Sequence, residues 1–140
     1  MKIPEKTIAE KLLEQFCDGY KRRDLEFLLS LFTQDITSWG TAPDEYIQGL
    51  EQMKRHLQRD WEQSEKSEIR IISFVPSTYE APWAAAFCQA VVTIDGQEHI
   101  FDQLRGTIVI EQEDGVWKIA HTHASFPDFR GVEDSSFPVR

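Results

Sequence analysis

Asp114-Gly115-Val116-Trp117-Lys118-Ile119-Ala120-His121-Thr122-His123-Ala124-Ser125 opens on a turn and continues as a strand. Asp-Gly ahead of alternating residues is a strong short-range signal for a hairpin. At a period of two, Trp117, Ile119, His121, His123 and Ser125 share one face, and Val116, Lys118, Ala120, Thr122 and Ala124 the other. A face running from aromatic to aliphatic to imidazole to hydroxyl predicts the wall of a cavity, apolar at one end and polar at the other.

Upstream, strands are predicted over 68–79, 83–95 and 98–112, and the quoted stretch supplies one over 116–126. Their links are Tyr79-Glu80-Ala81-Pro82, Asp95-Gly96 and Glu113-Asp114-Gly115. Before them, Ile8, Leu12, Leu13, Phe16 and Tyr20 recur at helical spacing over residues 5–19. A short helix follows from Asp24 to Phe32, then a β-prone segment over 35–39. A turn-rich link with Pro43, Asp44 and Glu45 leads through Gly49 to a third helix, from about Leu50 to Gln63. Leu50, Met53, Leu57 and Trp61 mark its buried stripe, with Lys54, Arg55, Arg59 and Asp60 expected in water. Residues 127–140 read as an extended tail.

Helices first, then an antiparallel meander, is an α+β layout. Three helices cannot cover both faces of the sheet. The expected architecture is a single domain over 1–140, a cone in which a strongly bent antiparallel sheet wraps three N-terminal helices around a central pocket. Its open face needs a cover, and a second copy of the chain is expected there, giving a homodimer.

The bulk properties narrow the partners. Nine Phe, four Trp and three Tyr in 140 residues supply large buried areas. A formal charge of −9 argues against nucleic acid, which demands a basic patch, and against an anionic membrane surface. No apolar run reaches the ~18 residues of a membrane span, and the charged N-terminus has no signal core. A cytoplasmic location is expected. Cys17 and Cys88 form no framework of spacings and read as free buried thiols.

Along the chain stand Asp35 with Trp39-Gly40-Thr41, Pro43-Asp44-Glu45, Gly49, Arg59-Asp60-Trp61, Trp83, Arg105-Gly106-Thr107, the quoted hairpin strand, and Ser136-Phe137-Pro138. Together these segments resemble the SnoaL-like branch of the nuclear transport factor 2-like (cystatin-like) superfamily. The last hairpin is also similar to the association domain of calcium/calmodulin-dependent kinase. The resemblance implies the cone fold, which hosts ketosteroid isomerase, scytalone dehydratase, polyketide cyclases and pure assembly modules. Fold alone therefore does not give activity.

His121 and His123 are the candidate catalytic residues, because imidazole titrates near neutrality and both project to one side of the strand. Their spacing could also begin a metal site with Asp102, His99 or Glu98, but nothing in the spacing demands one, and no metal or cofactor is expected. Arg105 and Thr107 share a face of the preceding strand. A two-residue loop at Asp114-Gly115 pairs Arg105 with Ala124. A loop one residue longer pairs Arg105 with His123 and Thr107 with His121, and is preferred because it gathers the polar groups. Arg105 would then clamp a carboxylate or phosphate, the alternative being a surface or inter-subunit salt bridge; Asp44 and Glu45 read as surface charge, or else Glu45 pairs with Arg105 to anchor a loop over the cavity mouth. Trp39, Tyr46, Trp61, Trp117 and Ser125 complete the candidate ligand-binding set.

Three readings follow. The first is a pocket for a small organic molecule, aromatic or hydrophobic, with an anionic group where Arg105 meets it. The second is a cofactor-free isomerase, cyclase or dehydratase using His121 or His123 as acid and base. The third is a non-catalytic oligomerisation module.

Overall fold

The computed structural model describes residues 5–138. In chain order the elements are α1 (Ile8–Arg22), α2 (Leu25–Leu31), β1 (Phe32–Trp39), β2 (Tyr46–Gln48), α3 (Leu50–Glu62), β3 (Lys66–Phe74), β4 (Trp83–Ile94), β5 (Gln97–Glu113) and β6 (Val116–Ser125). Local chemistry sets their ends. Thr7 and Glu10 form a reciprocal capping box at the start of α1. Asp24 accepts from the Phe27 N–H to start α2. Gly49, at φ 86°, turns the chain into α3 through a conformation that side chains disfavour.

The six strands form one sheet in the order β2-β1-β6-β5-β4-β3. β1 runs parallel to β6, so the sheet is mixed where an antiparallel one was expected. β1 enters the sheet directly from α2 at Phe32, beginning three residues before the predicted segment and ending with it at Trp39. β2, not anticipated, pairs with its end. The helices pack on one face of the curved sheet. Ala84, Ile108, Thr122, Ser38 and Ile47 cross five strands in one inward-facing row. Leu28 of α2 and the strand residues Phe32, Ile36 and Ile119 are the largest fully buried side chains.

The register of the β5–β6 hairpin departs from both expected versions. Asp114 and Gly115, at φ 52° and 79°, do form a two-residue turn, and Glu113 pairs with Val116. Three pairs further on Ile110 faces Ile119, but next to it Val109 faces His121, leaving Ala120 as a β-bulge. Beyond it Thr107 faces His123 and Arg105 faces Ser125, so neither Arg105–Ala124 nor Arg105–His123 is the pair formed. One extra residue flips every later side chain to the other side. Ile119 faces the helices, and so do Thr122 and Ala124, whereas His121, His123 and Ser125 face outward.

Candidate functional site

Between the helices and the sheet lies a cavity of about 500 Å³. Its walls are mainly apolar, with Leu13, Phe16, Ile47, Leu57, Leu104 and Phe126 among them. Cys17 and Cys88 also line it as free, buried thiols. Burial pushes their pKa values up, to about 12 for Cys17 and about 11 for Cys88, so both are neutral thiols at physiological pH.

One side of this cavity is polar, and four residues build it. Tyr20 near the end of α1 donates to Asp60 Oδ2 on α3 at 2.8 Å. His56, one turn earlier on α3, places Nε2 3.7 Å from Asp60 Oδ1 and 3.4 Å from Glu45 Oε2. Glu45 comes from the loop after β1. It folds inward because Gly40 offers no side chain: a Cβ there would stand 1.6 Å from Glu45 Oε2. Arg59 braces the outside, bonding Asp44 at 2.7 Å and approaching Glu45 Oε1 at 3.8 Å.

The environment separates these groups. Burial, followed by the Asp60 carboxylate beside it, pushes the Tyr20 hydroxyl well above its ordinary value. Burial raises the Asp60 carboxyl above the usual range, against the hydrogen bond from Tyr20. His56 holds Glu45 below that range, and Glu45 in return raises His56. Ser67 on β3, 5% exposed, lines the same cavity with its hydroxyl unpartnered, and Trp61 Nε1 is likewise buried without a partner. A buried polar atom without a partner carries a desolvation cost.

His56 and Asp60 are absent from the predicted set, although the signal was present. Met53, His56, Leu57 and Asp60 fall at steps of three, one and three, the spacing of a single helix face. Asp60, expected in water, therefore turns inward with the apolar stripe. Glu45 pairs with His56 and Arg59 and not with Arg105.

The predicted residues gather elsewhere. The pairings carry Ala85, Thr107, His123, Trp39 and Tyr46 across the outer face in one row, flanked by Phe87–Arg105–Ser125 and by Val109–His121–Thr37. Trp39, Thr107 and His123 also border the cavity; Tyr46, Trp61, Arg105, Trp117, His121 and Ser125 do not. His121 Nδ1 lies 2.7 Å from the Thr37 hydroxyl. Trp61 packs in the core against Tyr20, and Trp117 stands opposite Gln112 near the hairpin tip. Among the described residues, His121 and His123 join no metal-competent cluster with Glu98, His99 or Asp102; Asp102 instead accepts from Gln89 at 2.6 Å.

This cone with its helix-covered cavity is that of a SnoaL-like domain of the nuclear transport factor 2-like fold. The chain belongs to the SnoaL-like domain family, whose sequence profile matches residues 9–128. Among solved structures it is similar to an epoxide hydrolase of the LEH-like type from M. tuberculosis, at 17% identity and TM-score 0.69, covering 90% of this chain and 87% of that one. An association-domain-like protein of the calcium/calmodulin-dependent protein kinase II type from Xanthomonas campestris matches at 19% identity and TM-score 0.72, covering 91% and 94%. A ketosteroid isomerase-like protein from Catenulispora acidiphila, in complex with trimethylamine, matches at 13% identity and TM-score 0.65, covering 85% of each chain. At these identities the likeness is one of fold. No curated protein matches the chain. Among the described residues no helix is long and apolar enough to cross a membrane.

Proposed function

We propose that the chain binds a small, largely apolar organic molecule in the cavity, with the molecule's polar group turned toward Tyr20, Asp60 and Ser67. The carrying observation is the asymmetry of the cavity: apolar walls closing on one polar side that holds a buried, unpartnered hydroxyl. The sign of that side favours a neutral or basic group on the ligand. Arg105, the clamp expected for an anion, stands on the outer face, while Glu45 and Asp60 face the cavity. The structural relatives' epoxide hydrolase and trimethylamine complex support a fold able to admit small organic molecules.

The test is a thermal-shift titration with 2-naphthol, alongside native mass spectrometry of the freshly purified protein. Binding raises the melting temperature in step with RT ln(1 + [L]/Kd). Gly106→Val, whose new Cβ would meet Cys88 Sγ at an ordinary 3.9 Å, extends into the cavity and abolishes the shift while the fold persists. An unchanged shift in that variant, or no co-purified or added ligand at all, removes the reading.

A second reading concerns assembly and rests on the outer face. Trp39, Tyr46 and Phe87 are each about half exposed there, and the Trp39 and Tyr46 rings pack at a tilt of 37° with centroids 4.7 Å apart. An exposed aromatic surface on a pleated sheet is self-complementary under a two-fold axis, and a second copy is its proposed occupant. The association-domain-like relative supports this reading.

A further inference from the structure

We propose that Glu45, His56 and Asp60 form a binding site for one divalent cation of the zinc, cobalt or manganese class. This inference stands apart from the organic-ligand reading: metal binding is measured on the protein alone, and an ion on Glu45 and Asp60 would turn that wall toward a ligand oxygen and away from a basic group.

Three ligand-type atoms, Glu45 Oε2, His56 Nε2 and Asp60 Oδ1, converge with every pair within 4.8 Å. The His56 separations of 3.4 and 3.7 Å exceed the ~2.7–2.9 Å of a charge-assisted N–H···O bond. They approach the ~3–3.5 Å that separates two ligands each about 2.0–2.2 Å from a shared ion. One imidazole nitrogen cannot hydrogen-bond well to two carboxylates on either side of it, but a cation among the three atoms satisfies all of them. One nitrogen and two carboxylate oxygens suit borderline and hard divalent ions better than soft ones.

The outer atoms of both carboxylates are already placed. Tyr20 holds Asp60 Oδ2 at 2.8 Å, leaving Oδ1 toward His56. Arg59 stands 3.8 Å from Glu45 Oε1, leaving Oε2 toward His56. Partners that fix the non-coordinating oxygen are the usual outer support of a metal ligand. Arg59 is engaged mainly by Asp44 at 2.7 Å and lies 3.8 Å from Glu45, so the carboxylates of Glu45 and Asp60 beside His56 keep a negative character that favours a dication.

A separate observation points to something bound beside the cluster. The Ser67 hydroxyl, buried and unpartnered, lies beside the Tyr20 hydroxyl on the same cavity wall. In the proposed site it would hydrogen-bond a water or ligand oxygen completing the ion's coordination. With three protein ligands the ion keeps that side free, as catalytic sites do and closed structural sites do not.

The experiment uses untagged protein stripped with EDTA and titrated with cobalt(II) chloride, followed by visible absorption and calorimetry. The expected result is saturation at one equivalent with d–d bands of low-symmetry cobalt, displaced by zinc. H56Q and E45Q each weaken binding by at least about tenfold, and Y20F by about tenfold through the lost outer hydrogen bond. Melting curves in EDTA identify any variant that fails to fold; E45Q alters a loop residue and keeps the test decisive. H121A, on the outer face, keeps full affinity. Absence of saturable cobalt binding at millimolar concentration overturns the proposal, as does undiminished affinity in folded E45Q or H56Q.

Discussion

Tyr20 and Asp60 are joined by a 2.8 Å hydrogen bond that ties α1 to α3 across 40 positions of sequence. The bond lies inside the cavity wall, where neither group meets bulk water freely. Replacing Tyr20 by Phe leaves a half-buried carboxylate short of a donor. Y20F is expected to lose about 1–2 kcal/mol of stability at neutral pH, read from urea denaturation. No loss would mean that the contact is not maintained in solution.

His56 and Glu45 make stability depend on pH in opposite directions. His56 is raised by Glu45, so in chelator its contribution is complete below the unfolded value of about 6.5 and disappears as pH rises through the folded value. Glu45 is lowered by His56, so its contribution is present above the unfolded value of about 4.3 and is lost as pH falls. The pair therefore stabilises most between those limits. H56Q should lower that plateau and flatten the slopes on either side of it in urea titrations at a series of pH values. G40A, whose Cβ displaces Glu45, should do the same in part.

The β6 bulge separates two residues only two positions apart. Ile119 is fully buried and His121 faces outward against Thr37. Ile119→Ala should cost about 2–5 kcal/mol, as a large-to-small change in a packed core. His121→Ala should cost about 1 kcal/mol, the worth of one partly exposed hydrogen bond. Equal costs in chemical denaturation would contradict the register.

Outer-face aromatics separate assembly from pocket binding. The double substitution Tyr46→Ser with Phe87→Ser, at two exposed positions outside the cavity lining, is expected to shift sedimentation from dimer to monomer while the far-ultraviolet spectrum persists. An unchanged sedimentation coefficient at dimeric mass would place the interface elsewhere, and a monomeric parent protein would end the dimer reading.

Both cysteines should resist alkylation. With pKa values pushed to about 12 and about 11 by burial, the reactive thiolate is scarce at neutral pH. Iodoacetamide modification of native protein, followed by mass spectrometry, should be far slower than in urea. Rapid native labelling would indicate an open cavity around Cys17.

Much of the fold was readable in the chain because its signals are local. Helical periodicity located α1 and α3, Asp24 capped α2, and the Asp95-Gly96 and Asp114-Gly115 turns delimited the long hairpins. The parallel β1–β6 pairing and the short β2 carry no comparable signal, since a three-residue strand takes its identity from its neighbour. The polar wall was half legible. His56 and Asp60 stood on the Met53–Leu57 stripe, but Asp60 was read as solvent-facing, the commoner fate of a charged side chain on a helix, and His56 was given no role.

Sequence alone determined the element types, the SnoaL-like resemblance and the amphipathic faces, because backbone propensity and side-chain periodicity act within a few residues. Only the tertiary structure decided which side of the sheet the histidines occupy. The Ala120 bulge reverses the alternation that strict period two dictates, and it is seen only once β5 is paired against β6. The same holds for the polar wall: Tyr20, Glu45, His56 and Asp60 meet through packing of α1, a loop and α3, and no spacing along the chain encodes that meeting.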